Sequence, residues 1–343
     1  MIRDVKIGNK KIGLGHPTYI IAEIGANHNR SLDIAKKLID KAAEAGVDAV
    51  KFQTYKAETL YSQRTPKFSK DNINPFDLIK ANELPREWHR VLFDYAARKN
   101  LHFLSSPFDY AAVDELDAVG VLAFKVASFE LIDLGLLRHI AQKHKPILLS
   151  VGLATLGEIE EALEAIRSQG NNDIVLLHCA SLYPSPPEVV NLKTIVTLSK
   201  AFQIPIGFSD HTLGIHVSVA AVALGAVVVE KHFTLDRTMK GPDHSFAVEP
   251  NELKQLVTNI REVEQALGTG VKVRSTAEQE MYEKGRRSII AAVDIKKGTI
   301  ITKEMLVVKR PGYGIKPKYI DTIIGRTTKK DIKADYWVTW DDI

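Results

Sequence analysis

The sequence predicts a (β/α)8 barrel followed by a small β-rich domain, and three observations support this fold. The chain has 343 residues, which suffices for one such barrel of about 250 residues and a smaller second domain. Eight short apolar runs alternate with helical stretches, as in repeated parallel βα units. A doubly wound nucleotide-binding sheet would carry a GxGxxG loop, and the sequence contains none.

Composition is that of a globular protein, with 45% hydrophobic and 26% charged residues. The longest apolar stretch, 217–229, is interrupted by Gly225 and is shorter than the roughly 20 residues that span a bilayer. The polar N-terminus lacks a signal-peptide core, and the single cysteine, Cys179, cannot form an intrachain disulfide, so we expect a reduced, cytoplasmic setting. The net charge of +4 is spread along the chain, which disfavours nucleic-acid binding and suits an anionic small substrate.

The eight predicted strands are rich in Val, Ile, Leu and Phe without strict alternation, as is typical of parallel strands buried on both faces. In chain order they are Tyr19–Gly25, Ala49–Thr54, His102–Pro107, Ala123–Ser128, Pro146–Gly152, Ile174–Ala180, Pro205–His211 and Val227–Phe233. Before them, VKIGNKKIGLG predicts a small hairpin around Asn9-Lys10, which we expect to plug the bottom of the barrel.

Helical patterns follow the strands. They are Ser31–Ala45, Pro85–Lys99, Tyr110–Ala118, Leu134–Lys143, Leu156–Gln169, Leu192–Ala201, Leu213–Leu224 and Pro250–Leu267. Ser31 is the expected N-cap of the first helix, and Gly46 stands just past its end. The segment Lys56–Leu84 is longer than a usual βα loop and is predicted to cover the barrel mouth.

The pattern changes after about Gly270. We assign residues 1–270 to the barrel with its N-terminal hairpin, 271–284 to a polar linker with some helix, and 285–343 to a separate domain. That domain contains the β-like pieces SIIAAVDI, LVVKRPG and YWVTW, with turns at Lys297-Gly298 and Pro311-Gly312. The similar words IKKG near Ile295 and IKAD near Ile332 suggest two related β-turn units.

Polar residues at the carboxyl ends of the strands are the candidate active site, because barrel enzymes place their chemistry there. Lys51 and Lys125, on the second and fourth strands, supply positive charge, and strand-end serines supply hydrogen bonds, a set that suits a phosphate and a carboxylate. These serines are Ser106, Ser128, Ser150 and Ser209. The alternative is a structural lysine–glutamate ion pair, which two lysines inside one barrel make less attractive because buried unpaired lysines are costly.

His211 and His232 end neighbouring strands, which lie about 4.8 Å apart, so the two imidazoles can share a metal ion. Two histidines suit an exchangeable divalent ion completed by water and substrate oxygen, the alternative being two satisfied core histidines. Glu23 on the first strand and Glu230 on the eighth are candidate acid or base groups. Charge compensation of the lysines and the metal is the alternative for these two carboxylates.

Taken together, the strand-end words resemble the sialic acid synthase family. They are AEIGANHN, VKFQT, SSPF, FKVASFE, LHCASLYPSPP, GFSDHT, EKHFTLD and GPDHSF, and they spread over the whole barrel. The piece with VVKRPG resembles that family's antifreeze-protein-like (SAF) domain. The resemblance implies a transferase that condenses phosphoenolpyruvate with N-acetylmannosamine to give N-acetylneuraminate and phosphate.

The resemblance also implies roles for individual residues. Phosphoenolpyruvate would be held by Lys51, Gln53, Ser106, Lys125, Ser128, Ser150 and Ser209. The acceptor sugar or the proton transfers would be addressed by Glu23, Glu130, Tyr183, Glu230 and Asp243. His211 and His232 would hold manganese, with magnesium or cobalt as alternatives. Arg310 would reach from the C-terminal domain of one subunit into the barrel mouth of the other, which implies a domain-swapped homodimer.

One position departs from the family's pattern. Some members have asparagine where this chain has Ser181, which is shorter, lacks an amide and is a further candidate substrate-binding residue. If this position touches the acceptor's N-acyl or neighbouring hydroxyl groups, a 2,4-diacetamido-2,4,6-trideoxyhexose is the alternative acceptor, giving legionaminic or pseudaminic acid. A barrel acting on an unmodified aldose phosphate would need an acceptor-phosphate site that we cannot assign. A non-catalytic carbohydrate- or ice-binding protein would not need both lysines and both histidines.

Overall fold

A computed structural model describes residues 2–67 and 73–343, which form two compact units, Met1–Gly268 and Thr269–Ile343. The strands are β1 Val5–Ile7, β2 Lys10–Ile12, β3 Tyr19–Glu23, β4 Ala49–Thr54, β5 His102–Pro107, β6 Phe124–Val126, β7 Ile147–Ser150, β8 Ile174–His178, β9 Ile206–Asp210, β10 Val228–His232, β11 Ser288–Ala291 and β12 Leu306–Lys309. The helices are α1 Leu32–Ala45, α2 Ala57–Leu60, α3 Pro75–Asn82, α4 Trp88–Arg98, α5 Tyr110–Val119, α6 Leu134–Ala141, α7 Leu156–Arg167, α8 Thr194–Phe202, α9 His216–Ala223, α10 Pro250–Leu267, α11 Gln279–Gly285 and α12 Ile320–Ile323. No helix in these two ranges combines the length and the apolar character needed to cross a membrane.

Strands β3 to β10 form one parallel sheet in the order β5-β4-β3-β10-β9-β8-β7-β6. The first and last of these strands pair, with Tyr19 opposite Val228 and Glu23 opposite His232. The end strands β5 and β6 contact each other and bring the sheet round into a nearly closed barrel. The predicted barrel fold is therefore confirmed. Several strands are shorter than predicted because the ladder ends where each chain segment bends into its loop.

The helices pack their apolar stripes against the outside of this sheet, where they share one core with the outward-facing strand residues. Helix α1 shows how the sequence sets its ends. The side chain of Ser31 accepts a hydrogen bond from the N–H of Ile34 at 3.3 Å, and Gly46 has a φ of +83° at the C-cap. A serine hydroxyl satisfies an orphan N–H group, and glycine takes the left-handed conformation without strain, so both predicted signals are confirmed.

The N-terminal hairpin closes the bottom of the barrel. In it Val5 lies opposite Ile12 and Ile7 opposite Lys10. The turn is therefore Gly8-Asn9, and the predicted position, Asn9-Lys10, was wrong by one residue. Gly8 has a φ of +57°, which glycine adopts freely, whereas Lys10 remains in the ladder. The apolar side chains of the hairpin share a buried cluster with inward-facing residues of the barrel strands, so the predicted plug is present.

The structure describes residues 56–67 and 73–84 of the segment Lys56–Leu84, which was predicted to cover the barrel mouth. Helices α2 and α3 lie in it, and the buried Glu83 accepts a hydrogen bond from the N–H of Ala57 at 2.8 Å, which ties its two ends together. Residues 68–72 lie outside the described residues, so the covering role stays a prediction.

The second unit is built around β11, β12 and an apolar core of its own. It begins at Thr269, so the segment predicted as a linker belongs to it, and α11 occupies the end of that segment. The piece YWVTW, predicted to be β-like, pairs with β11 over a short stretch. Trp337 forms a single bridge to Ile290, and the adjacent hydrogen bonds to β11 do not extend it into a ladder.

The two similar turn units of this domain pair with each other. Ile295 and Ile332 exchange backbone hydrogen bonds of 2.8 Å. Asp294 accepts a backbone N–H from the opposite unit at 2.8 Å, and Asp331 does the same at 2.9 Å. The weak sequence repeat thus corresponds to an approximate local two-fold relation.

Candidate active site

Inward-facing side chains from seven strands and the loops that follow them converge on one pocket of about 370 Å³ at the carboxyl ends of the strands. Side chains alternate along a strand, so Glu230 and His232 of β10 face this pocket and Lys231 between them does not. The predicted site residues that line it are Glu23, Lys51, Gln53, Ser106, Lys125, Ser128, Ser150, Tyr183, Ser209, His211, Glu230 and His232.

Lys51 lies between the two buried glutamates of the pocket. Its Nζ is 3.3 Å from Oε1 of Glu23, 3.5 Å from Oε1 of Glu230 and 3.4 Å from Oγ of Ser106. Gln53 donates to Oε1 of Glu23 at 2.8 Å. The neighbours follow from the register, in which Glu23 lies opposite Lys51 and Gln53 opposite Ser106.

Lys125 lies on the other side of Glu230. Its Nζ donates to Oγ of Ser150 at 2.7 Å and to the carbonyl of Val126 at 2.9 Å, and it is 3.9 Å from Oε1 of Glu230. Ser209, opposite Glu230 in the register, donates to the same carboxylate oxygen at 2.9 Å. Glu230 is therefore held by two lysines and a hydroxyl.

The pocket gives the two glutamates opposite pKa shifts. Burial raises the pKa of Glu23 to about 7, although the nearby Lys51 opposes this. For Glu230 burial acts in the same direction, but Lys125 and Lys51 outweigh it, and the pKa of this carboxyl lies below its usual value. Near neutral pH, Glu230 is thus a fixed anion, and Glu23 is the carboxyl that can gain or lose a proton.

The two histidines present free ring nitrogens in a buried setting. Nδ1 of His211 donates to the carbonyl of Ala180 at 2.9 Å, which leaves the Nε2 lone pair available. Nδ1 of His232 is buried without a hydrogen-bond partner among the described residues and lies 3.8 Å from a carboxylate oxygen of Asp243. Burial lowers the pKa of both rings, that of His211 to about 4, so both are neutral at pH 7.

This donor set fits a divalent ion with few protein ligands. The ring centroids of His211 and His232 are 5.5 Å apart, and neutral imidazole is the metal-binding form. Within the part of the chain that the structure describes, no group of three or more His, Cys, Asp or Glu side chains converges to hold a metal. Water or substrate oxygen would therefore complete the coordination.

A tightly packed wall surrounds Ser128. The N–H of Gly152 donates to Oγ of Ser128 at 3.0 Å, and Sγ of Cys179 lies 3.1 Å from the same oxygen. A Cβ at Gly152 would come within 2.3 Å of Oγ of Ser181, so this position needs glycine. Oγ of Ser181 is buried and has no partner among residues 2–67 and 73–343, which leaves it free for a ligand.

Three predicted residues lie beside the pocket lining. They are Glu130, Ser181 and Asp243. Oδ2 of Asp243 is 3.5 Å from the N–H of Ala26, and burial raises the pKa of this carboxyl to about 6. Burial also raises the pKa of Glu130 to about 7, and its Oε2 is buried with no partner in the described chain.

Arg310 is the one predicted site residue outside the barrel. It follows β12 in the second unit, and it is absent from the lining of the barrel pocket. Its predicted contact with a partner's barrel stays a prediction.

Several residues of the site were missed from the sequence. Phe108, Ala127 and Cys179 line the pocket, and the ring of Phe246 packs 5.0 Å from that of His232. The word GPDHSF contains Phe246, but an aromatic residue at a loop gives no sequence signal that separates a pocket wall from a core contact.

Lys231 forms the structural ion pair of this region. Its Nζ lies 2.9 Å from Oδ2 of Asp210, which also accepts a hydrogen bond from Ser218 at 2.5 Å. This lysine, on the opposite face of β10, forms its ion pair outside the pocket, whereas Lys51 and Lys125 lie beside glutamates in the pocket lining itself.

Comparisons with known proteins identify the family of the chain. The model of the NeuB family matches residues 38–272, and that of the SAF domain matches residues 286–343. The chain is 44% identical to the N,N'-diacetyllegionaminic acid synthase of Campylobacter jejuni over 326 residues, covering 93% of this chain and 98% of the relative. It is 38% identical to the pseudaminic acid synthase of the same species over 338 residues, covering 96% and 97%.

A solved structure shows the same architecture. The N-acetylneuraminic acid synthetase of Leptospira borgpetersenii is 36% identical, with a TM-score of 0.76 over 82% of this chain and 96% of that one. The chain therefore belongs to the NeuB family of sialic acid synthase-type enzymes, which form carbon–carbon bonds, and it carries a C-terminal SAF domain.

Proposed function

We propose that the barrel condenses phosphoenolpyruvate with an N-acylated amino-sugar aldehyde, giving a nine-carbon 2-keto acid and phosphate. The observation that carries this proposal is that two buried lysines and four serine hydroxyls share one pocket with two neutral histidines. The first group suits the phosphate and carboxylate of phosphoenolpyruvate, and the second suits a metal ion near the acceptor carbonyl.

Charge balance in the pocket supports an anionic substrate. Lys51 and Lys125 face Glu23 and Glu230, so the four groups are neutral when all are ionised. When Glu23 holds a proton, they carry one net positive charge. We assign phosphoenolpyruvate binding to Lys51, Gln53, Ser106, Lys125, Ser128, Ser150 and Ser209.

We assign the metal to His211 and His232, with manganese as our first choice and magnesium or cobalt as alternatives. The bound ion would supply Lewis-acid polarisation of the acceptor's carbonyl group.

The reaction needs one carbon–carbon bond and three proton movements. The enol carbon of phosphoenolpyruvate attacks the aldehyde carbon, and the aldehyde oxygen takes a proton. Water adds to the cationic C2 and loses a proton. The bond from C2 to the bridging oxygen then breaks, and the remaining proton of the C2 hydroxyl passes to the departing phosphate, which leaves the 2-keto group. We assign the first two proton movements to Glu23, because its pKa is about 7. Glu230, a fixed anion, stabilises the cationic C2.

For the acceptor we favour a 2,4-diacetamido-2,4,6-trideoxyhexose, which gives a legionaminic acid. Support comes from the 44% identity to a diacetyllegionaminic acid synthase and from the buried Oγ of Ser181, which has no hydrogen-bond partner among the described residues. N-acetylmannosamine, giving N-acetylneuraminate, is the second candidate, supported by the likeness to the Leptospira enzyme. Glu130, Tyr183, Ser181 and Asp243 are the residues that we assign to the sugar.

We also propose that the enzyme is a domain-swapped homodimer in which Arg310 completes the partner's mouth. Exposed apolar side chains on four neighbouring loops support a covering subunit. Phe129, Leu153, Leu182 and Leu213 follow β6, β7, β8 and β9 and are 50% to 73% exposed. Apolar side chains exposed together at one end of a barrel are typical of interaction sites.

A phosphate-release assay tests the reaction and the acceptor together. Purified enzyme is given phosphoenolpyruvate with a panel of N-acylated hexoses, and the products are identified by mass. We expect release that depends on acceptor, is fastest with the diacetamido sugar, and stops with chelator and returns with manganese. Oxygen-18 in the bridging position should appear in phosphate. Failure with every N-acylated aldehyde, or label retained in the sugar acid, would contradict the proposal.

A further inference from the structure

The second unit carries a strongly basic surface, and none of its charged residues is among those assigned to the reaction above. Its cations are Lys272, Arg274, Arg286, Arg287, Lys316 and Lys318. They line two adjoining concavities of about 750 and 620 Å³ that share Tyr282 and Arg286. We call this surface the Tyr282 patch.

The positive charge of the Tyr282 patch is not compensated within the unit. Residues 269–343 contain 16 Lys and Arg against 10 Asp and Glu. Half of these carboxylates pair with lysines elsewhere in the unit. Among the described residues, none of the six patch cations forms an ion pair. The carboxylate in the lining, Glu278, accepts the backbone N–H of Ser275 at 2.8 Å. Six cations and one carboxylate leave a local charge of +5.

Two of the arginines are held in place by an aromatic ring. The guanidinium of Arg274 lies 3.9 Å from the ring centroid of Tyr282, and that of Arg286 lies 4.8 Å from it. Stacking engages the face of a guanidinium and leaves N–H donors at its edge for an anion. The positive field is also felt by the phenol, because Lys316 first, and then Arg286 and Arg274, lower the pKa of Tyr282.

We infer that the Tyr282 patch binds a multiply charged phosphate compound at a site built from second-unit residues. Arginine forks match phosphate oxygens in pairs, and a ligand with several charges offsets the repulsion among six like charges more fully than a monovalent ion does. Two concavities that meet at Arg286 suit two anionic groups on one molecule. This inference does not depend on the reaction proposed for the barrel.

Calorimetric titration of the full chain with pyrophosphate in metal-free buffer tests the site. The double variant Arg274→Gln/Arg286→Gln removes both stacked cations. The matched control, Lys296→Gln/Lys333→Gln, removes the same charge from exposed, paired lysines outside the patch. We expect about tenfold or greater weakening in the first variant and less than about twofold in the control. The barrel pocket is unchanged in both, so their difference reports the patch alone.

Parallel titrations identify the source of the phosphate groups. Inorganic phosphate, pyrophosphate, phosphoenolpyruvate and a nucleoside triphosphate are compared, and the tightest binder that is lost in the patch variant defines the ligand. Equal weakening in both double variants would show diffuse attraction and overturn the site. If citrate bound as tightly as the best phosphate compound, the inference that the patch prefers phosphate compounds would be overturned. If the arginine variant does not keep the wild-type melting temperature, Lys316→Gln/Lys318→Gln takes its place.

Discussion

Glu23 and Glu230 are both glutamates, line the same pocket and lie beside the same lysine, Lys51, yet their surroundings give them different chemistry. Ser209 and two lysines hold Glu230 as an anion, whereas Glu23 has one lysine beside it and accepts one amide hydrogen bond from Gln53. The raised pKa leaves Glu23 as the proton carrier.

We expect Glu23→Gln to lower kcat by about 10²- to 10³-fold, because the amide keeps the shape of the side chain but cannot exchange a proton. The KM for phosphoenolpyruvate should change little. Steady-state kinetics across pH 6 to 9 measure both constants. A variant with near-wild-type kcat would show that another group moves the proton.

Of the three buried lysines of the barrel, we expect Lys51 and Lys125 to serve substrate binding and Lys231 to serve stability. Lys125→Met removes a donor from the pocket but leaves Lys51 beside Glu230, so we expect the KM for phosphoenolpyruvate to rise about tenfold or more with modest loss of stability. Lys231→Met leaves Asp210 buried and without its cation, so we expect lower stability and an unchanged KM. Thermal melts measure the stability of both variants, and steady-state kinetics measure their KM for phosphoenolpyruvate. A raised KM in Lys231→Met together with an unchanged KM in Lys125→Met would contradict the roles assigned to the two lysines.

Stability should depend on pH through Glu130. Its pKa is about 7 in the folded chain, above the usual value of 4.5, so the folded state keeps the proton while the unfolded state loses it. The contribution of the protonated carboxyl to stability is complete below about pH 4.5 and is lost as pH rises through 7. Relative to wild type, Glu130→Gln should therefore gain melting temperature between pH 5 and 8, on the order of 3 °C. A constant difference across that range would count against a raised pKa.

Among the elements, the N-terminal hairpin covers the bottom of the barrel, which would otherwise be open. Ile7 is fully buried there, whereas its neighbour Lys6 is exposed. A hairpin of this length is not stable alone, so its order comes from the cluster that it joins.

Ile7→Ala should lower the free energy of unfolding by about 3 kcal/mol, because it opens a cavity in a packed cluster. Kinetic constants should stay near those of wild type, since the active site lies at the opposite end of the strands. Denaturant unfolding measures the first effect, with Lys6→Ala as the control at an exposed position. Equal stability of the two variants would show that the hairpin does not form part of the core.

At the scale of the whole molecule, charge is distributed unevenly. Residues 269–343 have an excess of six positive charges, whereas the chain as a whole has a net charge of +4, so residues 1–268 are slightly acidic. Opposite net charge on the two kinds of unit favours association between chains.

A mixed dimer tests the proposed shared mouth. Glu23→Gln disables the barrel, and Arg310→Ala removes the arginine. If Arg310 acts on the partner, each mixed dimer contains one intact site, and random co-assembly should restore about a quarter of wild-type activity. Each variant alone should be nearly inactive. Co-expressed chains are assayed for phosphate release after sedimentation has established a dimer. Mixtures that stay as inactive as the separate variants would place Arg310 on its own barrel or outside catalysis.

Much of the site was predictable because parallel strands have two regular properties. Their apolar runs are easily found, and their carboxyl ends meet on one side of the barrel. Lys51, Lys125, His211 and His232 were placed together on that basis, and they line one pocket. Phe246 and the unpartnered oxygen of Ser181 were not predictable, since their positions depend on how separate loops pack.

The barrel, the order of its strands and the chemical types at their ends were predictable from the chain, because they follow from local hydrophobic pattern and strand alternation. The tertiary structure was needed to establish which glutamate stays charged, since that depends on lysines from two other strands and on burial. It also decided that Lys231 is structural, that the hairpin turns at Gly8-Asn9, and that six cations gather around Tyr282. A pKa and a local electric field are sums over neighbours in space, and a linear sequence does not specify those neighbours.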